Sequence, residues 1–191
     1  MNHPLPPETA DHALATGERL PKSERTEFSP EAVAEIQAIA AKYPDKLAAT
    51  LPALYIAQRD FGFVSLDAMK AVARALSIPE GHVFGVASFY TLYQKKPVGK
   101  FHLQVCTNIS CALNGSAEFL EKVCKKTGCK PGGGPSPDGM WSVEEAECLA
   151  SCASGPCMQV NTDVYDENID DAKLNEILQA CERGEYREWA K

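Results

Sequence analysis

The sequence has no long hydrophobic segment and no cluster of basic residues. Its longest apolar stretches, such as LPALYIA at residues 51–57, are far shorter than the roughly 20 residues that a membrane-spanning helix needs. No run of basic residues is longer than the pairs Lys95–Lys96 and Lys125–Lys126, and the net charge is −7. We therefore expect no direct membrane insertion and no nucleic-acid partner, and any membrane association would come through another protein.

The N-terminal residues also lack the apolar core of a secretory signal peptide. They carry five acidic side chains, which are uncommon in transit peptides: Glu8, Asp11, Glu18, Glu24 and Glu27. Residues 1–27 are polar and without periodicity, so we predict a disordered leader on a cytoplasmic protein. In a reducing compartment, eight cysteines are expected to be metal ligands or free thiols, because disulfides are rare there.

Two motifs of redox enzymes are missing as well. No two cysteines have the C-x-x-C spacing of a thioredoxin-type dithiol, and no G-x-G-x-x-G fingerprint of a dinucleotide site is present. The glycine triplet at residues 132–134 follows a predicted helix and precedes Pro135, whereas the fingerprint follows a strand. The chain therefore shows no dinucleotide site of its own.

Helical periodicity begins after the leader and predicts an N-terminal helical bundle over residues 28–96. Ser29 is a predicted N-cap followed by Pro30, and Ser65 is a second predicted N-cap. We expect a first helix that runs to Pro44, a second that restarts near Pro52 and ends at Gly62, a third after Ser65 and a fourth after Pro79. The inward residues expected for the first helix are Val33, Ile36, Ile39 and Tyr43.

The fourth predicted helix and the residues after it, VFGVASFYTLYQ, are rich in aromatic side chains. The rings are Phe84, Phe89, Tyr90 and Tyr93. Four short helices have little room for four rings, so two interpretations stay open: all the rings lie in the core, or some of them face a partner.

The hydrophobic period changes from 3.6 to 2 at residue 101, which predicts a second domain over residues 97–191. We expect a strand at 101–105, a helix at about 115–127, a strand within MWSVEEA, a hairpin in MQVNTDVYDE and a final helix. The inward face predicted for the helix at 115–127 consists of Ala117, Leu120, Val123 and Cys124. This order of elements indicates an α/β sandwich of thioredoxin-like size.

Five cysteines form two groups, each just after a predicted strand. Cys106 and Cys111 make a C-x4-C pair, and Cys148, Cys152 and Cys157 make a C-x3-C-x4-C series. Two such loops at one end of a sheet would converge on one centre, and thiolates favour zinc or iron–sulfur. Wide spacings with a long intervening segment favour a [2Fe-2S] cluster over zinc, which usually uses tighter knuckles. Spacing alone leaves open which two of the second group are ligands.

The other cysteines and two histidines are interpreted as structural. We expect Cys124 and Cys181, on apolar helix faces, to be buried thiols, and Cys129, beside a glycine at a helix end, to be exposed. His82 and His102 have no cysteine at ligand spacing, so we expect surface positions for both.

Three segments resemble the thioredoxin-like [2Fe-2S] subunit of respiratory complex I, NADH:quinone oxidoreductase. They are LPALYIAQRDFGFVSLDAMKAVARALSIP at 51–79, FYTLYQKKPVGKFHLQVCTNISCALNGS at 89–116, and PDGMWSVEEAECLASCASGPCMQVN at 137–161. The resemblance covers about residues 30–182 and implies an N-terminal helical bundle followed by a thioredoxin-like [2Fe-2S] ferredoxin domain.

The resemblance also implies a function. One [2Fe-2S] cluster would be held by Cys106, Cys111, Cys148 and Cys152, and it would exchange single electrons with the FMN of the NADH-oxidising flavoprotein subunit. The large iron–sulfur subunit is a second candidate partner, and the complex would hold the chain at the inner face of a bacterial membrane. Equivalent subunits of NAD-reducing hydrogenases and formate dehydrogenases are one alternative. A structural zinc-binding interaction module is the alternative from another class.

Cys157 departs from the family pattern, in which this position commonly carries an uncharged non-ligand residue. Pro156 fixes its own φ and biases Gly155 towards an extended conformation, and the following CMQVN alternates as a strand. We therefore predict that Cys157 leaves the loop for the sheet and is not a ligand, whereas Cys148 and Cys152 stay in the loop.

Overall fold

The computed structural model describes residues 20–162 and 164–189, and the side chains at 164 and 165 are outside that description. The chain divides into two compact units between Lys96 and Pro97. Residues 1–19 of the predicted leader lie outside the described residues. Of the leader's remainder, Leu20 packs in the core of the first unit, and the Arg25 guanidinium lies 3.3 Å from the Asp60 carboxylate.

The first unit is helical. It contains α1 (Pro30–Ala40), a 3₁₀ turn (Lys46–Ala49), α2 (Thr50–Phe61), α3 (Leu66–Leu76) and α4 (Glu80–Phe89). Both predicted N-caps are confirmed. The Ser29 hydroxyl accepts a hydrogen bond from the Ala32 N–H at 3.3 Å, and the Ser65 hydroxyl accepts one from the Ala68 N–H at 3.1 Å. Gly62 ends α2 in the left-handed conformation, with φ of 84°. No described helix is both long enough and apolar enough to cross a membrane.

The predicted inward face of α1 is partly wrong. The helix ends at Ala40, so Tyr43 lies beyond it, and the side chains of Val33 and Tyr43 are exposed. The buried residues are Ala32, Ile36 and Ala40, which are spaced four apart. Two small alanines on this stripe allow α1 to approach α2 and α3 closely, and this favours the alanine face over the larger Val33.

The aromatic residues after α3 divide between core and surface. Tyr93 is fully buried, its hydroxyl donates to the Leu51 carbonyl at 2.8 Å, and its ring meets Tyr55 edge-on at 5.5 Å. Phe89 is 78% exposed and Tyr90 is 37% exposed. The two rings near the end of α4 therefore contribute little to this core.

The second unit is mixed α/β. Its elements are β1 (Phe101–Cys106), α5 (Ile109–Leu113), α6 (Ser116–Thr127), β2 (Trp141–Ala146), β3 (Met158–Val160), β4 (Val164–Asp166) and α7 (Asp171–Glu182). The sheet order is β2-β1-β3-β4. β1 runs parallel to β2 and antiparallel to β3, and β4 is antiparallel to β3.

One face of this sheet carries the core. Alternate residues of β1, namely Phe101, Leu103 and Val105, pack with side chains from both α6 and α7. On α6 the predicted face is partly wrong, because Ala117 is exposed while Phe119 is buried together with Val123. The larger Phe119 fills the space against the sheet, so the helix is rotated from the predicted orientation.

The opposite face carries a buried polar network. The two ring nitrogens of His102 lie 2.8 Å from the Ser142 hydroxyl and 2.9 Å from the Glu144 carboxylate. The Trp189 ring lies 5.6 Å from the imidazole. His102 is only 3% exposed, so the expected surface position is wrong, because strand neighbours and the C-terminal residues cover it.

The three cysteines outside the two groups all pack in the core of the second unit. Cys181 is buried as predicted, and Cys124 is half-buried. Cys129 is also buried, against the prediction, because its thiol donates to the Trp141 carbonyl at 3.5 Å and is covered by β2.

Candidate metal centre

The parallel pairing of β1 with β2 brings both cysteine loops to one end of the sheet. The strands end level with each other, since Cys106 is paired with Ala146, and the Thr107 N–H donates to the Ala146 carbonyl at 3.0 Å. The loop after β1 carries Cys111, and Cys148 lies two residues after β2 ends. Any group held by both loops would therefore sit at the C-terminal ends of these two strands.

Cys106 and Cys111 are placed by the end of β1 and by α5. Cys106 is the last residue of β1, and α5 turns the chain so that Cys111 also faces inward; both side chains are buried. The side chain of Asn108 caps α5 by accepting a hydrogen bond from the Ile109 N–H at 2.6 Å. This short helix was not predicted, although Asn108 is a residue type that favours N-cap positions.

Cys157 completes a group of three sulfur atoms. Within the part of the chain that the structure describes, one set of candidate ligands lies close together: the sulfurs of Cys106, Cys111 and Cys157, all within 4.8 Å of one another. The Cys111 and Cys157 sulfurs are 3.8 Å apart. Cys157 directly precedes β3, and its carbonyl accepts from the Cys106 N–H at 3.1 Å, so its backbone extends the ladder between β1 and β3.

Cys148 and Cys152 are exposed and stand outside this group. The structure thus brings together two of the four predicted ligands and adds a cysteine that was predicted to be a non-ligand. The loop of Cys148 and Cys152 nevertheless touches the group, because Leu149 packs against the cluster of the three buried cysteines. The Cys148 sulfur accepts a hydrogen bond from the Ala150 N–H at 3.3 Å.

The surroundings of the sulfurs distinguish Cys106 from its two neighbours. Burial raises the pKa of the Cys106 thiol, but hydrogen bonds from the N–H groups of Asn108 and Leu149, together with smaller ones from Cys111 and Cys157, bring the net pKa below the ordinary value. Burial, followed by the interaction with Cys106, raises the pKa of Cys111. Burial and the neighbouring Cys111 raise the pKa of Cys157 to about 12, so Cys157 is a neutral thiol at physiological pH.

The second cysteine loop is hydrogen-bonded to the segment that follows β4. The N–H groups of Asn168 and Ile169 donate to the carbonyls of Ser154 and Pro156 at 2.8 and 3.3 Å. The Ser151 hydroxyl is hydrogen-bonded to the Glu167 carboxylate. These bonds link the loop to the segment between β4 and α7 and hold Gly155 against Cys111.

The donor set fits an iron–sulfur cluster. Cysteine sulfurs on two adjoining loops are soft ligands, and backbone N–H groups that point at such sulfurs are what an anionic cluster requires. The N–H groups of Asn108 and Leu149 donate hydrogen bonds to the Cys106 sulfur. The Cys157 N–H donates to the Cys111 sulfur, and the Ala150 N–H donates to the Cys148 sulfur. One feature of the sequence does point to Cys157 as a neighbour of the site. Four residues separate it from Cys152, and four residues also separate Cys106 from Cys111.

Comparison with known proteins agrees with this chemistry. A family model described as thioredoxin-like [2Fe-2S] ferredoxin matches residues 36–182. A subunit of the NADH-quinone oxidoreductase of Rhizobium meliloti is 40% identical over 151 residues, which cover 79% of this chain and 89% of that protein. The NADH-quinone oxidoreductase subunit 2 of Thermus thermophilus is 39% identical over 150 residues, covering 78% and 82%.

A solved structure shares the fold. The NAD+-reducing [NiFe]-hydrogenase in its H2-reduced state aligns with a TM-score of 0.54 over 82% of this chain and 23% of that chain. The sequence identity is 17%, so this likeness concerns the fold alone.

Proposed function

Because the chain belongs to the thioredoxin-like [2Fe-2S] ferredoxin family, we propose that it is the electron-transfer subunit of an NADH:quinone oxidoreductase and carries one [2Fe-2S] cluster. The arrangement of Cys106 and Cys111 carries this proposal, because both sulfurs are buried, lie together and receive backbone N–H donors. When bound, a [2Fe-2S] cluster takes up and releases one electron at a time.

Four cysteines would hold the cluster, two from each loop. We propose Cys106 and Cys111 from the first loop and Cys148 and Cys152 from the second. The level ends of β1 and β2 support this set, as does Leu149, through which the second loop packs against the buried cysteines. Ligation by four thiolates gives low reduction potentials, about −400 mV in plant-type ferredoxins, and this suits exchange with a reduced flavin.

The flavin and NADH would be bound by a partner. NADH delivers a hydride, which carries two electrons, so a flavin must stand between NADH and a one-electron carrier. The sequence has no dinucleotide fingerprint, and we therefore place FMN and NADH on a flavoprotein subunit, with the large iron–sulfur subunit as a second candidate partner.

Exposed apolar side chains mark where a partner would bind. In the second unit, Ile109 and Leu113 lie four residues apart on α5, the helix that carries Cys111, and they are 74% and 84% exposed. In the first unit, Phe89 is 78% exposed and contacts the Tyr90 ring edge-on at 5.0 Å. Exposed apolar side chains beside a metal-binding loop favour protein contact over contact with water.

The helices of the first unit would form a bundle whose role is docking. Their shared core joins α1 to α4 and contains no candidate metal group among its described residues. We place this chain in the cytoplasm, attached peripherally to the inner face of the membrane through the other subunits of the complex.

Spectroscopy and metal analysis of the purified chain test this function. We expect a reddish-brown protein with charge-transfer absorption and two irons per chain. Co-expressed with its flavoprotein, the chain is expected to copurify with it and to be reduced by NADH only when the flavin is present. A colourless chain that binds one zinc would contradict electron transfer and support the structural zinc module. Copurification with a hydrogenase or formate dehydrogenase would correct the host complex alone.

A further inference from the structure

Cys157 is a fully buried thiol that the proposed ligand set does not use. We propose that it donates an S–H···S hydrogen bond to the Cys111 sulfur and thereby raises the reduction potential of the bound cluster. This inference rests on the proposed [2Fe-2S] site and concerns one residue that tunes it.

The contact between the two sulfurs has hydrogen-bond geometry. Cys111 Sγ and Cys157 Sγ are 3.8 Å apart, within the longer reach of bonds that involve sulfur. The backbone N–H of Cys157 also donates to the Cys111 sulfur, so one residue directs two donors at one ligand. Because the Cys157 side chain is 0% exposed, water does not compete for its proton.

The backbone around Cys157 is fixed on both sides. The Cys157 carbonyl accepts from the Cys106 N–H at 3.1 Å, and the next residue, Met158, is paired with Val105 in the sheet. On the other side, the Pro156 carbonyl accepts from the Ile169 N–H at 3.3 Å. These backbone bonds hold residue 157 beside Cys111.

The direction of the effect follows from electrostatics. Reduction of a cluster adds one negative charge, part of which resides on the ligand sulfurs, and a hydrogen-bond donor stabilises the more negative state more strongly. Cys111 and Cys157 are both buried, which increases the size of this difference. Removal of the donor should therefore make the cluster harder to reduce.

A redox titration of the full-length, cluster-loaded chain tests the proposal, with electron paramagnetic resonance as the signal and iron content as a second readout. Cys157→Ala removes the donor, whereas Cys157→Ser keeps an O–H donor in nearly the same volume. Cys181→Ala is the matched control, since Cys181 is a buried thiol in the strand–helix core and outside the cysteine group. We expect full iron in all three variants, a lower potential in Cys157→Ala, and the parent's potential or a higher one in Cys157→Ser.

Three results would overturn the proposal. An unchanged potential in Cys157→Ala would show that the thiol does not tune the cluster, and an equal decrease in Cys181→Ala would attribute the effect to general loosening of the core. Loss of iron in Cys157→Ala but not in Cys148→Ala would make Cys157 a ligand. If Cys157→Ala does not fold, Cys157→Val fills the volume without a donor and is expected to show the same decrease. A parent chain without a [2Fe-2S] cluster would instead refute the proposed function itself.

Discussion

Gly155 lies so close to Cys111 that a Cβ atom at residue 155 would contact Cys111 more tightly than side chains normally do. A Cβ atom at residue 155 would be 3.0 Å from the Cys111 sulfur and 3.2 Å from its Cα atom. The second cysteine loop therefore reaches the first at a residue without a side chain. A small shift of the backbone is needed to relieve the contact. This shift would move the loop that carries Cys152.

We predict that Gly155→Ala weakens retention of the cluster. Overpacking of this kind costs about 1–3 kcal/mol, which corresponds to roughly 5- to 150-fold weaker binding of the cluster if the cost falls on the bound state. The rate of iron release to a chelator measures the effect. Gly85→Ala is the control, because a Cβ there meets no atom within 4 Å. Equal release rates in the two variants would show that the close approach of Gly155 to Cys111 is not needed.

Gly99 makes an even closer approach, to the backbone of β2. A Cβ atom there would lie 2.4 Å from the Trp141 carbonyl carbon, and the Gly99 N–H donates to the Ser142 hydroxyl at 2.9 Å. We predict that Gly99→Ala lowers the free energy of unfolding of the second unit by at least about 2 kcal/mol, since two backbone segments must separate. Both tryptophans, Trp141 and Trp189, belong to this unit, so urea unfolding followed by their fluorescence reports it. A midpoint equal to that of Gly85→Ala would contradict the prediction.

Stability of the second unit should fall at alkaline pH through Cys181. Burial, with smaller contributions from Asp166 and Glu182, raises the pKa of the Cys181 thiol from 9.0 to about 12. The folded chain therefore keeps a proton that the unfolded chain releases. The stabilisation is complete below pH 9 and is lost as the pH rises towards 12.

The measurement compares the parent with Cys181→Ala in urea between pH 8 and about 10.5, under anaerobic reducing conditions that prevent disulfide formation. The parent is expected to lose up to about 1.4 kcal/mol per pH unit more than the variant above pH 9, because one proton separates the two states. Parallel pH profiles for the two proteins would show that Cys181 does not contribute to the alkaline loss.

The parts of the fold that depend on adjacent residues could be predicted from the sequence. The caps at Ser29 and Ser65 and the helix end at Gly62 each depend on residues within one turn, and all three are confirmed. The mixed α/β class of the second unit was also predictable, because the change of hydrophobic period at Phe101 marks the start of β1.

Features that depend on distant residues could not be predicted in this way. The burial of His102 results from Glu144 and Trp189, which join it only when the sheet is formed. The approach of Cys157 to Cys111 results from the pairing of β1 with β3, and no local pattern encodes that pairing. A helix of five residues such as α5 is also too short to produce a period of its own.

The family resemblance and the geometry point to different cysteines in the second group. The resemblance to known subunits selects Cys148 and Cys152, whereas the described side chains bring Cys157 closest to Cys106 and Cys111. Cys157 also has its backbone in the sheet ladder, which fits a fixed neighbour of the cluster better than a member of a ligand loop. We therefore keep Cys148 and Cys152 as the proposed ligands and assign Cys157 a hydrogen bond.

The most direct test is the iron and acid-labile sulfide content, with the electron paramagnetic resonance signal after reduction, of Cys148→Ala beside Cys157→Ala. We predict two irons, two sulfides and a [2Fe-2S] signal in Cys157→Ala, and loss of all three in Cys148→Ala. The reason is that Cys148 is a proposed ligand of the cluster and Cys157 is not. Circular dichroism of both variants shows whether the helices of the first unit remain folded. An intact signal in Cys148→Ala beside an empty Cys157→Ala would contradict the proposed ligand set.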